Sequence, residues 1–232
     1  MRNKQWNEMD GRKRAVLFGL VALLGLAVPG AAGAKAPPQE VDGLHLVHDS
    51  ASRRVYTRPG VDFKRYDKAI VLEVFVSFQK NWQQEHNAND PFLINKQGVL
   101  EIKQRVGDEF MKRFAHVLES RKIGVVGKHD AAADVLIVRP AIVDLKVTSP
   151  DNMQQDDGAQ TFVASAGQMT LFAELYDSVS SQLIARILSA GVDQGFGGFM
   201  PASSVSNKAA EDRIVDRWAN TLADHMGRLG GD

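Results

Sequence analysis

The chain has 232 residues, with 28 Lys and Arg balancing 28 Asp and Glu, 44% hydrophobic and 7% aromatic side chains, and no cysteine. These values exclude collagen-like, disordered and polytopic membrane chains, and the balanced charge argues against the Lys/Arg excess that nucleic-acid binding requires. The missing cysteine excludes disulfide scaffolds, thiolate metal sites, thiol nucleophiles and an acylated cysteine anchor.

Residues 1–34 read as a secretory signal peptide. Arg2, Lys4, Arg12, Lys13 and Arg14 make a basic start, 15–28 run without a charge, Pro29-Gly30 breaks the segment, and Ala32 and Ala34 supply an A-x-A site. The apolar run falls short of the roughly 20 residues that span a bilayer. We therefore expect cleavage near Ala34 and a periplasmic or secreted protein beginning at Lys35, with retention of the leader as an anchor as the alternative. Residues 1–34 hold five basic and two acidic residues, so the remainder is mildly acidic.

A polar, proline-containing linker at 35–42 leads into a single globular domain at 43–232. Residues 43–47 alternate weakly, and 55–58 end at the turn dipeptide Pro59-Gly60. The run AIVLEVFVSF at 69–78 is apolar on both faces, which predicts a central strand of a covered sheet. NWQQEHNANDPF at 81–92 reads as a polar loop with Trp82 and Phe92 at its edges.

From 95 to 122 the period changes: Val99, Ile102, Val106, Phe110, Phe114 and Val117 recur every three or four residues, which predicts an amphipathic helix ending at Gly124. VLIVRPAIVDLKV at 135–147 is a long strand in which Pro140 predicts a bulge or an edge position. Residues 161–176 and 183–192 form a hairpin around 177–181, with Met169, Leu171, Ala173 and Leu175 on the face toward the helices. Ser206 or Asn207 caps a last helix whose stripe is Ile214, Trp218, Leu222 and Met226. The expected class is α/β (α+β), a mixed sheet of four or five strands packed by two amphipathic helices.

Five stretches together, VDGLHLV (41–47), 55–78, ADVLIVRPAIVDLKVTSPD (133–151), ASAGQMTLFAELYDS (164–178) and AEDRIVDRWANTLADHM (210–226), resemble the bacterial family catalogued as domain of unknown function 3313. The resemblance covers nearly all of the chain after the leader. It implies an envelope location and this fold, without an established activity. Many members look like lipoproteins; this sequence lacks the cysteine, so a lipid anchor does not carry over. The element order is also similar to small α/β domains of envelope assembly proteins, such as the amino-terminal domain of the Tol-system periplasmic protein and the curli-secretion lipoprotein.

No G-x-S-x-G elbow, H-E-x-x-H pair, Walker lysine or Rossmann glycine pattern occurs. Ser77 and Lys80 have Ser-x-x-Lys spacing but end a strand and lack the companion signatures. His45 and His48 have no obvious third ligand beyond Asp49 or Asp62, and the 149–160 loop lacks the EF-hand pattern. Asp144 sits in an apolar strand, either buried or turned outward by alternation. No catalytic residue, metal or cofactor is assigned.

The expected function is non-enzymatic binding of an envelope protein or small ligand. The contact residues are Trp82, His86 and Phe92 in one loop, where Trp82 serves as a stacking platform or folds back as a lid, and Phe196 and Phe199 in a glycine-rich second loop. The rivals are a periplasmic hydrolase using His86 or His129 with an aspartate, and a structural homo-oligomeric subunit.

Overall fold

The computed structural model describes residues 36–89, 93–147, 162–163, 167–192, 200–201 and 204–227. In chain order, β1 (Glu40–Val41), β2 (Leu44–Asp49) and β3 (Arg53–Thr57) lead to a 3-10 turn (Phe63–Arg65), then β4 (Lys68–Val71) and β5 (Phe75–Phe78). Helices α1 (Trp82–Asn89) and α2 (Lys96–Ser120) follow, then β6 (Gly124–Val125), β7 (Val135–Val147), β8 (Phe162–Val163) and β9 (Gly167–Asp177). β10 (Leu183–Val192), β11 (Met200–Pro201) and α3 (Ser204–His225) complete the order.

The class is the expected one, but the sheet is larger. One nine-stranded sheet has the order β1-β2-β3-β10-β9-β7-β4-β6, with β5 also pairing to β7, while β8 and β11 form a separate two-stranded piece. β4 and β5 run parallel to β7, and β4 runs parallel to β6; the other pairs are antiparallel. The extra strands are short pieces with little apolar alternation, stabilised by neighbours rather than by their own pattern.

The 69–78 run is not one central strand. It breaks at 72–74 into β4 and β5, close to the sheet edge. That break explains Pro140, which lies within the regular part of the interior strand β7. Val138 accepts a backbone hydrogen bond from Leu72, so its polar groups, and those of Pro140 two residues on, point toward β4 and β5. The donor that proline lacks therefore faces the gap between those two strands, where no ladder bond is called for. The bulge in β7 comes later, between Val143 and Lys146, with Asp144 half-buried at φ +54°.

Helix α2 is capped by Asn95, whose side-chain oxygen accepts from the Gly98 amide at 2.9 Å. It stops one turn earlier than Gly124 suggests. Lys122, at φ +62°, donates to Glu119, and Ile123 donates to Leu118, a Schellman closure with Lys122 in the left-handed position. Leu118 and Ile123 are both buried, giving this stop its hydrophobic contact.

Helix α3 starts at Ser204, before the expected caps Ser206 and Asn207, and lays Ile214, Val215, Trp218 and Leu222 against Met169, Leu171, Ala173 and Leu175 of β9 in one core. The approach is close at Gly191 of β10: a Cβ there would lie 2.3 Å from Ile214 Cγ2 and 2.9 Å from Trp218 Cζ2. Glu109–Lys208, Arg113–Asp216 and Arg121–Asp224 ion pairs step along α2 and α3 in the same order, so the two helices run parallel.

Candidate functional site

Two of the contacts that hold helix α3 bracket a space beneath it. At its middle Ile214 and Trp218 sit on Gly191, and just past its end the Gly227 amide donates to the Tyr66 carbonyl at 2.8 Å. Between these points the helix and the sheet enclose a pocket of about 540 Å³. Its deep wall is apolar: Phe110 and Phe114 of α2, Val138 of β7, Leu171 and Leu175 of β9, and Ile187 of β10. Its outer end is polar. One side carries His48, Ser50, Ser52 and Arg53 of the β2–β3 hairpin, and the other carries Arg217, Thr221 and His225 of α3. Ser50, Ser52, Arg217 and His225 are exposed, which places the opening at this end. Among the described residues, no carboxylate lines the pocket.

The three α3 residues are four apart, a polar stripe beside the buried Trp218–Leu222 stripe. Within it Thr221 donates its hydroxyl to the Arg217 carbonyl at 2.7 Å, and His225 Nδ1 lies 2.7 Å from the Thr221 carbonyl. Trp218 donates from Nε1 to Ser189 Oγ at 3.2 Å, leaving its ring edge on the pocket.

His48 Nε2 lies 3.3 Å from Ser50 Oγ, but this is a turn clasp and not an activated hydroxyl. The Ser50 hydroxyl donates to the Arg53 carbonyl at 3.1 Å and accepts the Arg53 amide at 3.0 Å. His45 is directed instead to Glu40, at 3.8 Å. Among the described residues, no three His, Asp or Glu side chains converge as a metal site.

The 81–92 segment is corrected from loop to helix over its first part. Helix α1 lacks an apolar stripe; it is held by Trp82 at one end and by polar side chains at the other. Gln83 and Asn87 donate to the Ile94 carbonyl at 2.8 and 3.0 Å, and Asn87 accepts the Ile94 amide at 2.8 Å. Trp82 is only 5% exposed, so it is a lid on the core and not an open platform. Its ring stacks on Phe78 at 4.0 Å and on His86 at 5.6 Å, and Nε1 donates to the Val147 carbonyl at 3.2 Å. The structure thus brings Trp82 and His86 together, while Phe92, Phe196 and Phe199 lie outside the described residues. So do the aspartates at 151, 156 and 157 of the 149–160 loop. His129 is exposed in the link before β7.

On the opposite face of the sheet a charged network fills the middle. Arg186 contacts Glu174 at 2.9 Å and Asp42 at 2.9 Å, and Tyr176 donates to Glu174 at 2.7 Å. Burial and that hydrogen bond push the Tyr176 hydroxyl up to about 12. At the β9–β10 turn, Asp177 is held below the usual carboxylate range: burial would raise it, but hydrogen bonds from Ser180 and Tyr66 and the charge of Arg65 outweigh burial. Every donor and acceptor here is satisfied within the fold, which marks these clusters as structural.

The pocket residues were missed by sequence reasoning because they are scattered from position 47 to 225. The one local trace is the spacing of Arg217, Thr221 and His225, four residues apart.

Among solved structures, PelC from Paraburkholderia phytofirmans, a dodecamer, is similar in two crystal forms at 13% and 11% identity, covering 76% of this chain and 99% of that one with a TM-score of 0.39. A hypothetical protein from Chlamydia trachomatis matches at 10% identity, over 68% of this chain and 98% of that chain, with a TM-score of 0.34. A protein from Xanthomonas campestris of family DUF330 matches at 10% identity, over 72% of this chain and 86% of that chain, with a TM-score of 0.35. No curated protein matches. The family model described as "Protein of unknown function (DUF3313)" matches residues 42–222, and the chain belongs to that family.

Proposed function

We propose that this protein is an exported, non-enzymatic binding domain of the cell envelope, with residues 1–34 as its leader, 43–232 as one folding unit, and the pocket beneath α3 as its ligand site. The carrying observation is a pocket of about 540 Å³ with a mainly apolar wall and with the charged and polar side chains of Arg53, His48, Arg217 and His225 along its rim. That volume lies within the roughly 300–1,000 Å³ of small-molecule sites, and a few polar groups at the rim of an apolar wall are what orient a ligand. Export rests on the basic, apolar and small-residue order of the leader. A binding role fits a rim whose serine, Ser50, is tied into a turn by the Arg53 backbone.

The uncharged dye Nile red tests the site. The full-length protein is expected to enhance its fluorescence saturably, at about one dye per chain. Val55→Trp, which puts an indole into the pocket from the half-buried strand β3, is expected to abolish the enhancement with the far-ultraviolet spectrum unchanged. Undiminished enhancement in that variant would overturn the assignment.

A further inference from the structure

The arginines of the described chain divide into two groups. Arg54 is paired with Asp49, Arg65 with Asp177, Arg113 with Asp216 and Arg121 with Asp224, while Arg139 and Arg186 share Glu174. Arg58 donates to the carbonyls of Leu183 and Asp42, and Arg105 and Arg213 have partners of their own. Arg53 and Arg217 alone make neither an ion pair nor a side-chain hydrogen bond among the described residues, and both line the pocket.

They approach the opening from separate elements, β3 and α3, with His48 on the first side and His225 on the second. Two guanidiniums without an ion pair, with no carboxylate among the described lining residues, leave the mouth of an apolar cavity with an unbalanced positive field. A charge placed beside low-dielectric walls is less screened than one on open surface, so this arrangement favours an anion at the mouth. The wall below it offers only apolar and weakly polar atoms.

We infer that the pocket binds a single-chain lipid amphiphile with an anionic headgroup, the acyl chain lying against Leu171, Ile187 and Leu222 and the carboxylate or phosphate held by Arg53 and Arg217. The inference rests on the binding reading above and adds the chemistry of the ligand. Arginine suits both headgroups because its planar fork presents paired N–H donors to carboxylate or phosphate oxygens. The chain and the head are each recognised by a different part of one cavity, so neither alone satisfies it.

The test is calorimetry on the full-length protein with ligands below their micelle concentrations. Palmitate, palmitoyl-lysophosphatidylglycerol and uncharged monopalmitoylglycerol share one chain, while acetate and inorganic phosphate represent the head alone. Both anionic lipids are expected to bind about tenfold or more tightly than the uncharged one, a difference of about 1.4 kcal/mol or more. Acetate and phosphate are expected to give no measurable heat. Arg53→Gln/Arg217→Gln is expected to reduce the anionic lipids to the affinity of monopalmitoylglycerol, and Lys112→Gln/Lys128→Gln, an equal charge change elsewhere, to leave them unchanged.

Equal affinity for all three lipids, or indifference to the arginine double variant, would overturn the inference while Nile red binding still upheld the pocket. Heads that bind as tightly as whole lipids would overturn the amphiphile and leave an anion site. Absence of both lipid and Nile red binding would overturn the two readings together.

Discussion

Arg186 on β10 and Glu174 on β9 face each other directly across the hairpin, with Nη2 2.9 Å from Oε1 and both side chains almost wholly out of water. Each partner removes the cost of burying the other. Arg186→Met leaves the carboxylate of Glu174 with only Tyr176 at 2.7 Å and Arg139 at 3.9 Å, and breaking a buried pair from one side costs about 3–5 kcal/mol. We expect the Arg186→Met/Glu174→Leu double variant to lose less than the sum of the two single losses in urea unfolding. Additive losses would show that the two charges do not depend on each other.

Gly191 is needed because α3 rests on it. The Cβ of Gly191→Ala would fall 2.3 Å from Ile214 Cγ2 and 2.9 Å from Trp218 Cζ2, so the helix must lift or the side chains leave their rotamers. The expected loss is about 1–3 kcal/mol of stability, together with a changed near-ultraviolet signal from Trp218. Unchanged thermal unfolding and an unchanged spectrum would contradict the close contact.

Glu211 gives the fold a pH dependence near neutrality. It lies one turn before Val215 on the packed side of α3, and its Oε1 is buried without a hydrogen-bond partner. Burial pushes its carboxyl up to about 7; Lys208 and Arg105 oppose the rise, and Asp212 and Glu109 add to it. In the unfolded chain a Glu titrates near 4.3. A raised carboxyl means the folded state holds the proton longer, so this contribution is complete below about pH 4.3 and is lost as pH rises through about 7, on the order of 3 kcal/mol in all. Glu211→Gln is expected to flatten the stability profile between pH 5 and 8 and to be more stable than the parent at pH 8. A parallel profile in the variant would exclude Glu211 as the source.

Much of this fold is legible in the sequence where one period dominates. The 3.6-residue stripe from Val99 to Val117 gives α2; alternation from Met169 to Leu175 gives the buried face of β9. Features set by neighbours were not legible. The apolar run at 69–78 carries no mark of its break, which is fixed by pairing to β7 on either side of Pro140. Helix α1 has no apolar stripe because Gln83 and Asn87 tie it to Ile94 through polar contacts. Lys122 stops α2 in a conformation that the nearby glycine advertises and does not adopt. The pocket is a space between elements brought together only by the topology, so no local pattern announces it.

The measurement that bears most directly on the central reading is photo-crosslinking of the full-length protein with a palmitate carrying a diazirine on its chain, followed by peptide mapping. Binding beneath α3 predicts labels on the pocket walls, at residues such as Leu171 and Ile187 of the sheet and Leu222 of the helix, all suppressed by excess palmitate and by Val55→Trp. Labels that concentrate instead around Trp82 and His86, or that resist both suppressions, would contradict it.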